Sequence, residues 1–284
     1  MHPQIIHLIL LYFCYLTFTS AEEVEKRSAF RDGRVLGGFP VSIVRAPYQL
    51  ALVRPGSKRI ACGAVQVSTH VAVTAAHCYI HKNSRSLKPS ILNPMTYDVI
   101  SGSDSLTVSS NRSQVFKVIG IPAYDPKTAD HDIAVIVTKE PLLGSPARLP
   151  VPGLNYTNMK ATASGFGKDA EGGDLSSRLR SFTGLILPDA DCEKVYKETD
   201  ARSFRRQHML CFGSDADLSP GRGTCQGDSG GPIVVRDSDG AYVLVGVVSF
   251  GHECGRKGMP EVETRVSAFV SLIEPYIDLD QKED

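Results

Sequence analysis

The stretch Gly223-Thr-Cys-Gln-Gly-Asp-Ser-Gly-Gly-Pro232 sets one serine, Ser229, in a glycine-rich bend. A serine hydroxyl is a weak nucleophile unless a base takes its proton, and that base must be held in one tautomer by an acceptor. Two other stretches supply those residue types. "VTAAHC" puts His77 beside a cysteine at the end of an apolar run, and "DHDIAV" puts Asp132 at the mouth of another. The Asp132 carboxylate leads into Ile133-Ala134-Val135, where an unpaired charge is costly, and a hydrogen bond from a ring nitrogen would relieve that cost. Together the three residues could carry acyl transfer. Taken singly, they are also a core histidine, a strand-end aspartate and a turn serine. "HCYIH" has a second reading as a metal site, because His77 and His81 flank Cys78 four residues apart.

These residues must be positioned by short elements. The chain alternates β-branched runs with turn residues, as in "APYQLALVRPGSKRIACGAVQV", "SQVFKVIGIP", "MKATASGFG", "RSFTGLILP" and "GPIVVRDSDGAYVLVGVVSFG". Many short strands separated by turn signals predict an all-β sandwich or barrel. Two segments break the pattern. "DADCEKVYKET" has helical spacing behind a capping-type Asp189 or Asp191, and "VSAFVSLIEPYI" places Val266, Phe269, Val270 and Ile273 on one helical face, with Pro275 limiting its length. The polar stretch from Ile80 to Thr96 reads as an exposed loop.

The 284 residues suffice for one large domain or two small barrels, and zero formal net charge recommends neither nucleic acid nor an anionic membrane as partner. Ile5 to Phe18 is an apolar run too short to span a bilayer comfortably, so residues 1–21 read as an export signal cut after Ala21. An N-terminal anchor is the alternative. Removing Cys14 with the signal leaves Cys62, Cys78, Cys192, Cys211, Cys225 and Cys254, an even number that suggests disulfides in a secreted, extracellular chain. The sequons at Asn111 and Asn155 could carry glycans.

"TAAHC", "DIAV" and "GDSGGP", in that order and from about Arg34 to about Ile277, resemble the trypsin/chymotrypsin-like serine proteases. The order also differs from that of an α/β-hydrolase, where the nucleophile comes first. The resemblance implies two packed six-stranded antiparallel β-barrels and a C-terminal α-helix. It places the first barrel at about 35–140, the second at about 141–264 and the helix at about 266–277 of a domain spanning 35–284. It implies Ser229 as nucleophile, His77 as general base and acid, Asp132 as orienting carboxylate, and the N–H groups of Gly227 and Ser229 as an oxyanion hole. It pairs Cys62 with Cys78, Cys192 with Cys211 and Cys225 with Cys254. A further bridge common in the family would need cysteines near Ala161 and Val235, and both positions are apolar. With Cys78 in a disulfide, no metal and no cofactor is expected.

"GR|VLGG" resembles the family's activation site. Residues 22–34 would be a propeptide removed by a protease that cuts after Arg34, and the new amino group of Val35 would pair with Asp228. The resemblance places Gly223, Thr224, Ser249, Phe250, Gly251 and Glu261 in the primary substrate pocket. Gly223 offers no charge at its base, where trypsins keep an aspartate. Glu261 stands where the family usually has glycine, and would project from the wall. In joining a neutral base to a wall acid the pocket resembles that of cathepsin G and of crustacean collagenases. Phe, Tyr, Leu or Met would fit, with some tolerance for Lys or Arg. A register one residue off would instead make Glu261 a surface acid. The expectation is a monomeric secreted endopeptidase acting on proteins or peptides and open to protein inhibitors. A non-catalytic homologue with a binding or regulatory role is the alternative from another class.

Overall fold

The computed structural model describes residues 38–82, 89–107, 109–197, 202–213, 222–256 and 258–283. The expected export signal, the propeptide, Cys14 and the Arg34–Val35 junction lie outside the described residues.

The first closed sheet is a six-stranded antiparallel barrel of β2 (Gln49–Val53), β3 (Ile60–Gln66), β4 (Val71–Thr74), β7 (Asp98–Ile100), β8 (Arg112–Gly120) and β9 (Ala134–Thr138), in the order β2-β3-β4-β9-β8-β7. The second contains β10 (Lys160–Gly165), β11 (Arg180–Ile186), β12 (Met209–Gly213), β13 (Pro232–Arg236), β14 (Tyr242–Phe250) and β15 (Glu261–Arg265). Its order is β11-β10-β13-β14-β15-β12, and pairing of β11 with β12 closes it. The short β1 (Phe39–Pro40) pairs with β11, so this strand joins the second sheet although it precedes the first barrel in the chain.

Alternation along β11 explains why it folds as a strand: Arg180, Phe182, Gly184 and Ile186 are buried, and Thr183 is exposed. β2 is buried at every position because both of its faces are covered. The second barrel's core includes Ala163, Phe182, Phe212, Ile233 and Val245. The larger cluster, centred on the first barrel, continues into Leu244, Val247, Val266, Phe269 and Ile273, so apolar packing joins the barrels. Closed sheets leave few unpaired edges, and residues at the ends of their strands are held on rigid ground.

Disulfides join Cys62 to Cys78, Cys192 to Cys211 and Cys225 to Cys254. Ala161 and Val235 lie in the same buried cluster on the antiparallel neighbours β10 and β13, so apolar packing fills the place of a bridge.

Two local readings need correction. The stretch after Ile80 is not simply a loop, since β5 (Ile80–Lys82) and β6 (Pro89–Ile91) form a small hairpin. The C-terminal helix α2 (Val270–Glu283) follows the 3₁₀ turn Val266–Ala268 and runs through Pro275. Pro275 is exposed, as is Ser271 one turn earlier, so water can satisfy the carbonyl that proline leaves without a donor. Val266, Phe269, Val270 and Ile273 are buried, and Asp280 accepts from His70 N (2.9 Å) and lies 2.8 Å from its Nδ1, fastening the end of α2 to the turn between β3 and β4. The internal helix α1 (Asp189–Tyr196) has Pro188 at its N-cap, and the Asp189 carboxylate instead meets Arg265 at 2.6 Å. No helix among the described residues is long and apolar enough to cross a membrane.

Candidate active site

His77 lies in a 3₁₀ turn, Ala76–Cys78, directly after β4, and the Cys62–Cys78 disulfide ties that turn to β3. Asp132 stands just before β9, the neighbour of β4, so strand pairing alone brings the two residues to one end of the first barrel. The His77 backbone N–H donates to Asp132 Oδ1 at 2.8 Å, and ring nitrogen Nδ1 lies 2.7 Å from Oδ2.

A third donor comes from the other barrel. β14 is bulged between Val248 and Phe250, which takes Ser249 out of the ladder with β15. Freed in this way, Ser249 Oγ donates to Asp132 Oδ2 at 2.6 Å, and Thr264 Oγ1 donates to the Asp132 carbonyl at 2.7 Å. Asp132 is 1% exposed. Burial pushes its carboxyl up, but the His77 charge and the hydrogen bonds from His77 and Ser249 outweigh that effect and hold it below the ordinary value. An ionised Asp132 requires the proton on Nδ1 of His77 and leaves Nε2 as the acceptor. For His77 itself, burial pulls the pKa down, and the Asp132 charge and hydrogen bond reverse this into a net rise. The ring remains one-third exposed, facing solvent.

Ser229 is held beside this pair through its backbone. Its carbonyl accepts from Gly63 N at 2.7 Å, next to the disulfide that follows His77. Its Oγ makes no hydrogen bond among the described residues, a usual condition before substrate draws nucleophile and base together. The Gln226 carbonyl is fixed by Lys168 N at 2.9 Å. Gly227 has φ +101°, a conformation open to glycine, and neither its N–H nor that of Ser229 has an acceptor among the described residues. Such free donors can receive a developing oxyanion.

Asp228 points inward, 2% exposed, accepting from Gly167 N (2.7 Å) and Cys225 N (3.0 Å). Burial pushes its carboxyl up to about 6 against those two bonds, and among the described residues no cationic side chain pairs with it.

The sequence-derived pocket residues converge. Glu261 is buried, at 6% exposure, and its side chain crosses from β15 to the facing segment, where Thr224 N donates to Oε1 at 2.6 Å. A Cβ at Gly223 would collide with that oxygen, so the glycine makes room for the acid. A Cβ at Gly251 would come within 3.6 Å of Glu261 Cγ, so this glycine borders the acid. Phe250 meets Tyr196 edge-on and carries the Arg202 guanidinium 4.9 Å above its ring.

Glu263 escaped the sequence reading. It is fully buried, and its Oε2 accepts from Ser249 N at 3.1 Å. Oε2 of Glu261 and Oε1 of Glu263 are both buried without a hydrogen bond. Burial raises both carboxyls, Glu261 to about 8, with the Asp228 charge adding to it, and Glu263 well above its ordinary value, with the Glu261 charge adding to it. Two acids two residues apart on a strand share a face, a signal that "EVET" carried. The bond from Ser249 to Asp132 depends on the bulge and has no local sequence mark. Cys78 is committed to its disulfide, which removes the thiolate a metal at "HCYIH" would need.

Residues 35–273 match the protein-family model described as Trypsin. Over 249 residues the chain is 30% identical to "Trypsin" of Saccharopolyspora erythraea, covering 86% of this chain and 98% of that protein. It is 29% identical to "Trypsin-1" of Astacus astacus over 249 residues, 84% of this chain and 98% of that one. It is also 28% identical to "Serine proteinase stubble" of Drosophila melanogaster over 254 residues, which is 87% of this chain but 31% of that longer protein.

Proposed function

The chain belongs to the trypsin family of serine-type endopeptidases, and from that premise we propose that it is a secreted protease made as a zymogen, with His77, Asp132 and Ser229 as its triad. The observation that carries this reading is the pair of hydrogen bonds from His77 to one Asp132 carboxylate, which leave Nε2 free to take a proton. Ser229 Oγ attacks the scissile carbonyl as Nε2 accepts its proton, and the carbonyl oxygen turns toward the N–H groups of Gly227 and Ser229. The amine leaves with the proton from His77, giving an ester on Ser229. Water then attacks the ester, His77 takes and returns a proton, and the acid product departs. Turnover of a peptide library by the chain after cleavage at Arg34 tests the reading, and no hydrolysis of any peptide would refute it.

Activation follows from Asp228. Cleavage after Arg34 by an arginine-directed protease would free the Val35 amine to pair with a carboxylate that burial leaves at about 6. The pairing raises the amine's pKa and lowers that of Asp228. The ion pair is intact while the amine is protonated and is lost as pH climbs through the raised amine value. Activity of the cleaved enzyme should therefore fall on the alkaline side, while the acid limb, set by neutral His77, lies above the ordinary imidazole value. A kcat/KM profile with no alkaline fall, or one that falls at about pH 8 where a free amine titrates, would contradict the pairing.

The pocket supports a mixed preference. With Glu261 at about 8 the wall is neutral near pH 7 and suits Phe, Tyr, Leu or Met. As pH rises through that value the acid ionises and meets Lys or Arg. We expect the ratio of Arg to Phe turnover to climb from about pH 6 to about pH 9, and Glu261→Gln to lower kcat/KM on Arg substrates roughly 10- to 100-fold. Arg turnover unchanged in that variant would remove Glu261 from specificity. Asn111 and Asn155 are exposed, which suits the glycans proposed for them.

A further inference from the structure

We propose that Asp130, His131 and His208 bind a divalent transition-metal ion, for which zinc is the probe. Asp130 Oδ1 lies 2.9 Å from His208 Nδ1 and 3.4 Å from His131 Nδ1, and one ligand atom from each of the three residues falls within 4.8 Å of the others. Tetrahedral zinc with bonds of about 2.0–2.1 Å separates its ligands by about 3.3 Å, so small side-chain shifts suffice. One carboxylate with two imidazoles is also the donor set that zinc accepts in three-ligand sites, with water in the fourth position.

The local structure prepares these ligands. His131 holds φ +60°, a left-handed conformation uncommon outside glycine, and its Nδ1 is buried without a hydrogen bond. The two imidazoles pack with centroids 4.0 Å apart, and Phe269 backs both rings at 5.6 and 5.7 Å. Asp130 Oδ1 also accepts from His131 N at 3.1 Å, while Arg205 Nε lies 3.4 Å from Oδ2 and engages the oxygen that the ion does not need. Arg205 is the opposing charge, and it is 45% exposed, free to swing outward. The ligands themselves are 17–27% exposed, which gives an ion and its water a way in.

The consequence is structural. Asp130 and His131 belong to the connection that enters β9, and His208 directly precedes β12, so one ion would staple the two barrels beside Asp132. The sequence hides this because His208 is far along the chain from its partners and no spacing motif links them.

The test is calorimetric titration of zinc chloride into the full chain, as the inactive Ser229→Ala protein previously stripped with chelator, so that its outcome does not depend on catalysis. One equivalent should bind saturably, and zinc at 100 times the dissociation constant should raise the melting temperature by roughly 5–10 °C. His208→Ala should weaken binding at least tenfold, and Asp130→Asn, which keeps a polar partner for both rings, should do the same if the alanine variant fails to fold. Absence of saturable binding, or affinity unchanged in Asp130→Asn, would overturn the proposal.

Discussion

Replacing Ser229 by alanine should lower kcat by roughly a millionfold while KM changes little. The size follows from what remains. Without Oγ no ester can form, so the His77–Asp132 pair and its hydrogen bonds have no nucleophile to activate. The free donors of Gly227 and Ser229 still bind the carbonyl, which leaves a residual acceleration of about a thousandfold over water. The variant should fold normally, because Ser229 is fastened through its carbonyl to Gly63 and through no side-chain bond. Steady-state kinetics on the cleaved chain measures the effect. A loss of less than about a hundredfold would mean that another group attacks the substrate.

The second large effect is Asp132→Asn, with an expected fall in kcat of about ten-thousandfold near neutral pH. The carboxylate accepts from His77 N on Oδ1, and from His77 Nδ1 and Ser249 Oγ on Oδ2. An amide can satisfy only part of that array. If its NH₂ occupies the Oδ2 position, it donates to Nδ1 and forces the imidazole proton onto Nε2, where the base must be bare. Ser249 Oγ then rotates its proton aside and accepts from the second amide N–H. If the amide is flipped, its NH₂ confronts the His77 backbone N–H. That clash of donors disfavours the flipped form, and the first arrangement disables the base without opening a cavity, so stability should change far less than activity. A melting temperature that falls by tens of degrees would show that Asp132 acts mainly as a fold anchor.

Much of this site could be read from the chain because its parts are local. His77 and Cys78 are sequence neighbours, Asp132 adjoins the apolar run that becomes β9, and Ser229, Asp228 and Gly227 share one bend. Alternation and turn residues point to an all-β sandwich or barrel, and the family resemblance narrows that to two six-stranded barrels. Other features depend on partners that no local pattern names. β1 belongs to the second sheet because it finds the edge of β11, and its own residues do not state that choice. Pro275 did not stop α2, since Ser271 and Pro275 lie on its exposed face, open to water, while Val270 and Ile273 still bury. Ser249 reaches Asp132 only because β14 bulges, and Glu263 matters only because Ser249 N is then free to meet it. His208 joins Asp130 by the packing of one barrel on the other.

The measurement closest to the core of this reading is mass-spectrometric mapping of an organophosphate on the chain after cleavage at Arg34. The expected result is one adduct, on Ser229, with labelling lost in the His77→Ala protein. An adduct on a different residue, or labelling just as fast without His77, would contradict the assignment of Ser229 as a hydroxyl activated by that imidazole.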